Sequence, residues 1–132
     1  MKINKQLDYR QKQKMLYVDK INQNSLQSYG DSFLEEGLLP DALDFYLRAN
    51  HQDGLKKIKD MAFESGDVML FQQAAKALNL ELKPMDWESI AQKAMNFKKY
   101  LFARHALEKA NNEEGLNALK KITQNEVDVK SK

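Results

Sequence analysis

Cysteine is absent from this chain, which excludes disulfides, thiolate nucleophiles and cysteine-ligated metals. Proline occurs twice and glycine five times in 132 residues, too rarely for a collagenous or low-complexity chain. No apolar run approaches the roughly 18 residues of a membrane span, and the first residues are polar and basic, unlike a secretory leader. Charge of one sign is also lacking. The 21 Lys and Arg nearly balance 19 Asp and Glu, and a net +2 gives no general attraction for nucleic acid. What is present is 42% hydrophobic and 30% charged, the make-up of an ordinary helical domain. A soluble cytoplasmic protein is the expectation.

One phrase occurs twice. Ala49-Asn50-His51-Gln52-Asp53-Gly54-Leu55 returns 61 residues later as Ala110-Asn111-Asn112-Glu113-Glu114-Gly115-Leu116. Residues 41–59 and 102–120 share six identities in nineteen at that offset: Ala42, Ala49, Asn50, Gly54, Leu55 and Lys59 with their counterparts. A period of this kind in a short chain signals stacked helical hairpins.

The hydrophobic pattern agrees. Leu26, Tyr29, Gly30 and Phe33 fall at i, i+3, i+4 and i+7, one face of a helix. Gly37 suits the left-handed residue that ends it, and Pro40 suits the first turn of the next, with Ala42, Phe45, Tyr46 and Ala49 as its stripe. Asp53 is the expected N-cap of a helix over 54–64, stopped at Gly66, and Asp67 that of a helix over 68–78. Residues 79–84 break the pattern, because Pro84 disfavours helix just before it. Asp86 is then expected to cap a helix to about Asn96, with Trp87, Ile90, Ala91 and Ala94 buried. Helices over 97–109 and 113–122 follow, and the polar end should fray. A helix over 8–21 with a thin apolar stripe is either a cap or a partly mobile arm. Nothing alternates with the period of a strand. The fold class is all-α, divided into a basic helix or arm at 1–22, a hairpin-repeat domain at 23–122 and a flexible tail at 123–132.

The order Leu26-x2-Tyr29-Gly30-x2-Phe33-x8-Ala42-x3-Tyr46-x2-Ala49 becomes Trp87-x2-Ile90-Ala91-x2-Ala94-x8-Ala103-x3-Leu107-x2-Ala110 in the second half. It resembles the tetratricopeptide repeat, with small residues where two helices approach closely and large ones between neighbours. The resemblance implies a right-handed α-α superhelix of about three hairpins plus the N-terminal helix. Three features depart from the family: the 61-residue period, the missing proline after the second helix, and the hairpin over 54–78, where Phe71 stands in place of a small residue. The looser α-hairpin solenoids of clathrin and coatomer subunits accommodate these departures equally well.

Catalytic constellations are lacking. His51 and His105 are the only histidines, share no metal-ligand spacing with carboxylates, and read as solvated or capping side chains. The glycines stand singly, most of them at helix boundaries, so no phosphate-cradling loop is expected. Glu35-Glu36 and Glu113-Glu114 are sequence neighbours, which point in different directions on a helix. No enzyme activity, cofactor or metal is expected. Trp87 reads as core. Met61, Met69, Met85 and Met95 read as interior gap-fillers before a binding groove.

The resemblance implies that a peptide or helix binds in the concave groove lined by the first helix of each hairpin. Its residues would be Gln27, Asp31, Leu34 and Glu35, and in the second copy Glu88, Gln92, Met95 and Asn96. One subgroup of the family captures acidic C-termini with lysine and asparagine on this face. Gln27, Asp31, Glu88 and Gln92 stand in those places here, so a basic or amphipathic ligand is expected instead. Residues 29–54 hold six acids and one base, residues 92–121 seven bases and three acids. That asymmetry fits a second reading, a self-associating structural subunit. A third, a nucleic-acid accessory, rests only on the basic arm between Lys2 and Lys20, without the dense stripe and exposed aromatics such binding needs.

Overall fold

The structure, a computed structural model, describes Arg10, Lys12 and residues 23–130. Seven helices run in order among them: α1 (Gln23–Glu35), α2 (Leu39–Ala49), α3 (Gln52–Ser65), α4 (Val68–Ala77), α5 (Pro84–Asn96), α6 (Tyr100–Lys109) and α7 (Glu113–Lys130). No described residue is in a strand. The protein is all-α, and no described helix is long and apolar enough to cross a membrane. The helix expected over 8–21 lies outside the described residues, apart from Arg10 and Lys12, both helical. Two compact units divide the chain, residues 1–58 and 59–132, with the boundary inside α3.

Six helices end in one device. Gly37, Asn50, Gly66, Asn79, Lys98 and Asn111 all have positive φ, between 53° and 79°. At each, the left-handed residue donates to the carbonyl three residues back, and the next residue to the one five back, as Gly37 N–H does to Leu34 and Leu38 N–H to Phe33. This pair of hydrogen bonds satisfies carbonyls that a helix end leaves bare and turns the chain sharply. Glycine or asparagine meets the left-handed conformation at five of the six sites. Lys98 is the exception, and its Cβ costs about 1 kcal/mol there.

These turns explain the 61-residue period. Gly37, Gly66 and Lys98 close the first helices of three hairpins; Asn50, Asn79 and Asn111 close the second ones. Successive turns are 29 and then 32 residues apart, which together make the repeat. Three extra residues lie in the connection before Pro84, where residues 80–83 after the Asn79 turn belong to no regular element. The middle pair of helices therefore ends in the same turns as the other two. Phe71 departs from the pattern because its bulk moves along the helix: Phe71, Ala74 and Ala75 stand where α2 has Ala42, Phe45 and Tyr46. A core tolerates such exchange when total volume is kept.

Several expected boundaries shift. Helix α3 begins at Gln52, so Asp53 lies in its first turn and is not its cap. Asp67 caps α4 as expected, accepting from Leu70 N–H at 3.1 Å. Asp86 is not the cap of α5; the helix starts at Pro84, and Asp86 reaches back to accept from Lys83 N–H at 2.9 Å. Helix α6 starts at Tyr100, because the turn at Lys98 unwinds residues 97–99. Helix α7 passes Ile122 to Lys130, since no glycine or proline interrupts it and Thr123 Oγ1 bonds the carbonyls of Leu119 and Lys120.

Within residues 1–58, α1 packs along α2. Phe45 stacks between Tyr29 and Phe33, with ring centroids 5.7 and 5.4 Å away. Its complete burial stabilises by about 1.5–3 kcal/mol. Lys12 bridges Asp41 and Asp44 of α2, at 2.5 and 2.7 Å. Burial would lower its pKa, but those two hydrogen bonds outweigh it and the ammonium is held above its ordinary value. Within residues 59–132, α5 packs along α6, and α6 also meets α4 and α7. The α3–α4 turn lies against α5: a Cβ on Gly66 would stand 2.8 Å from the Ala94 backbone. Lys99 Nζ donates to the Ser65 carbonyl at 2.6 Å, and Lys93 pairs with Glu64 at 3.2 Å.

Candidate functional site

On α5 the buried stripe is Trp87, Ile90, Ala91 and Ala94, as its helical spacing requires. The adjoining stripe, Glu88, Gln92 and Met95, lines a cleft of ≈ 330 Å³. Leu107 forms part of its lining, and Asn112, Gly115 and Ala118 come from the start of α7. Two details set the shape of this wall. Asn112 Oδ1 caps α7 by accepting from Gly115 N–H at 2.9 Å. Gly115 lets α7 come close to α6, since a Cβ there would lie 2.9 Å from Leu107 Cδ2.

Three of the four residues expected on this helix are thus brought together. The fourth, Asn96, does not line the cleft but accepts a hydrogen bond from Gln92 Nε2 at 3.1 Å. Glu88 is the only formal charge in the lining; Gln92 and Asn112 supply amides, and Met95, Leu107 and Ala118 apolar surface. This mixture suits a ligand with one apolar side and a donor or cation beside it.

The first hairpin arranges the equivalent positions differently. Gln27, Asp31 and Leu34 lie on α1, with Glu35 exposed at its last turn. Where the third hairpin has Leu107, this one has Tyr46, only 1% exposed. Its ring occupies the space between two glycines: a Cβ on Gly30 or on Gly54 would come within 2.7 Å of it. His51 lies against the ring, with centroids 5.2 Å apart. The phenol donates to Asp31 Oδ1. Burial, then the hydrogen bond to Asp31 and that carboxylate's charge, push the Tyr46 pKa well above its ordinary value. The expected ligand-facing Asp31 therefore has a partner within its own hairpin.

In the sequence Tyr46 reads as one more core residue, and nothing local announces its bond to Asp31. The signal was the pair Gly30 and Gly54 around a tyrosine, set against Ala91 and Gly115 around a leucine. The histidines also differ from expectation. His51 is half-buried on Tyr46, and half-buried His105 bonds Gln72 at 3.0 Å and meets Trp87 edge-on at 5.9 Å. Trp87 is buried, as expected. Met61, Met69 and Met85 are exposed, not interior fillers. Among the described residues no group of three or more His, Asp or Glu is placed to hold a metal ion.

The chain matches no family model, no curated protein and no solved structure in comparisons with each.

Proposed function

We propose that this protein is a non-catalytic interaction module of the cytoplasm, a tetratricopeptide-like right-handed α-α superhelix that captures a peptide or helix on the face made by its first helices. The cleft between α5 and the start of α7 carries this reading, because it is lined by the first-helix residues Glu88, Gln92 and Met95. Three hairpins in one register, each closed by the same turns, support the repeat architecture. Units of 29 and 32 residues are shorter than the 34 of the tetratricopeptide repeat, which leaves room for a looser α-hairpin solenoid.

The first hairpin is closed by Tyr46, so binding centres on the third. A lone carboxylate at Glu88 beside Met95 and Leu107 selects an amphipathic or basic segment. Panning a random-peptide phage library on the chain tests this. Basic or amphipathic sequences should be enriched, and Glu88→Lys with Met95→Asp should release them. Selected peptides that bind the doubly substituted chain equally well would sink the assignment.

A further inference from the structure

Within residues 59–132, helix α6 lies against both α4 and α5. His105 marks the seat, hydrogen-bonded with Gln72 of α4 and edge-on to Trp87 of α5. The seat is well covered: Val68, Trp87, Ile90, Ala91 and Ala94 are all buried.

The repeat register carries this seat forward to α6 and α7. Gln72 becomes Arg104 and Val68 becomes Tyr100; Trp87, Ile90, Ala91 and Ala94 become Leu116, Leu119, Lys120 and Thr123. All six of these successors line one groove of ≈ 520 Å³. Helix α7 thus stands to α6 as α5 stands to α4, and the groove corresponds to the place that α6 fills on those two. No described helix fills it, and Leu101 is 81% exposed at its wall.

Chemistry distinguishes this groove from the seat it repeats. Two of the exchanged positions, Gln72 to Arg104 and Ala91 to Lys120, introduce cations, and Lys121 lines the adjoining depression. No carboxylate lines either one. Arg104 has an exposed partner, Glu108, one turn along its own helix at 2.9 Å, a pair that contributes little in water.

We propose that the α6–α7 groove binds an amphipathic helix of a partner protein, one that carries a carboxylate where α6 carries His105. Small and large side chains spaced as Ala103, Ala106, Leu107 and Ala110 would form its buried stripe. Charge complementarity names this occupant, since the position that meets Gln72 in the filled seat meets Arg104 in the open one.

The probe is a labelled synthetic peptide of residues 99–111 carrying His105→Glu, with a His105→Lys peptide as its opposite. Fluorescence anisotropy should show the glutamate peptide binding about five- to tenfold more tightly, with the margin shrinking as salt is raised. Arg104→Glu, at an exposed site, should invert the order, and circular dichroism checks that this chain keeps its helicity. The glutamate peptide should bind Glu88→Lys no more weakly than the unaltered chain, which separates this groove from the α5 cleft. Absence of binding by either peptide, or indifference to Arg104→Glu, overturns the proposal. So does a dimer in sedimentation equilibrium that Arg104→Glu dissolves, because the occupant is then a second copy of this chain.

Discussion

The first and third hairpins share a backbone plan and differ in what fills it. In the first, Gly30 and Gly54 leave a slot that the Tyr46 ring occupies, fastened by its bond to Asp31. In the third, Ala91 narrows one side and Leu107 stops short, so Glu88, Gln92 and Met95 face an open cleft. Two or three exchanges convert a sealed joint into a concavity without disturbing the turns on either side. Repetition builds the frame, and single side chains decide whether a given joint is closed.

The comparison breaks first at Gly30. Gly30→Ala gives the first hairpin the residue of the third while Tyr46 still fills the slot, and overpacking should cost about 2 kcal/mol, lowering Tm by roughly 5–10 °C. In a Tyr46→Leu background the same change should be nearly neutral, a coupling that calorimetry of the four variants measures. Equal costs in both backgrounds would show that the ring is not what forbids the methyl.

Tyr46→Phe should come next, at about 1 kcal/mol for the lost hydrogen bond. Its pH signature has a definite sign. The folded pKa of Tyr46 is raised, so its contribution is whole below the unfolded value of about 10 and is lost as pH rises beyond it. Thermal melts above pH 10 should fall less steeply in the phenylalanine variant, and tyrosinate absorbance should lose its last-titrating group. A wild-type slope unchanged by the substitution would remove the bond from the account.

Smaller effects sharpen the pairing. Gly54→Ala meets the Tyr46 ring at its Cγ, whereas Gly115→Ala meets only the end of a leucine and an asparagine amide. The second should therefore cost less than about 1 kcal/mol, and distinctly less than the first, in chemical denaturation. At the turns the order reverses in sign. Lys98→Gly supplies what Gly37 already has and should stabilise by about 0.5–1 kcal/mol; a loss of stability would mean that the lysine side chain contributes more than its backbone costs.

Much of the frame was legible without coordinates because its causes are local. The repeated Ala-Asn-x3-Gly-Leu phrase marks a helix end, a left-handed asparagine and a glycine at a close approach, and all three stand at both places. Asp67 and Gly66 were readable as cap and stop for the same reason. The left-handed turn at Lys98 was not, since lysine carries no such signal. The middle hairpin escaped because its volume is shifted from Tyr46-type to Phe71-type positions, which only a packed core equates. Of the candidate residues, register places Glu88, Gln92 and Met95 on one stripe of α5, the stripe that lines the cleft; the bond of Asp31 to Tyr46 has no such local signal.

By itself the sequence determined where the helices lie and several of their ends, since capping, left-handed turns at glycine and asparagine, and apolar spacing act within a few residues. Tertiary structure alone decided which joints close. Whether Tyr46 fills a slot and whether Leu107 leaves a cleft both depend on side chains far apart in the chain competing for one space.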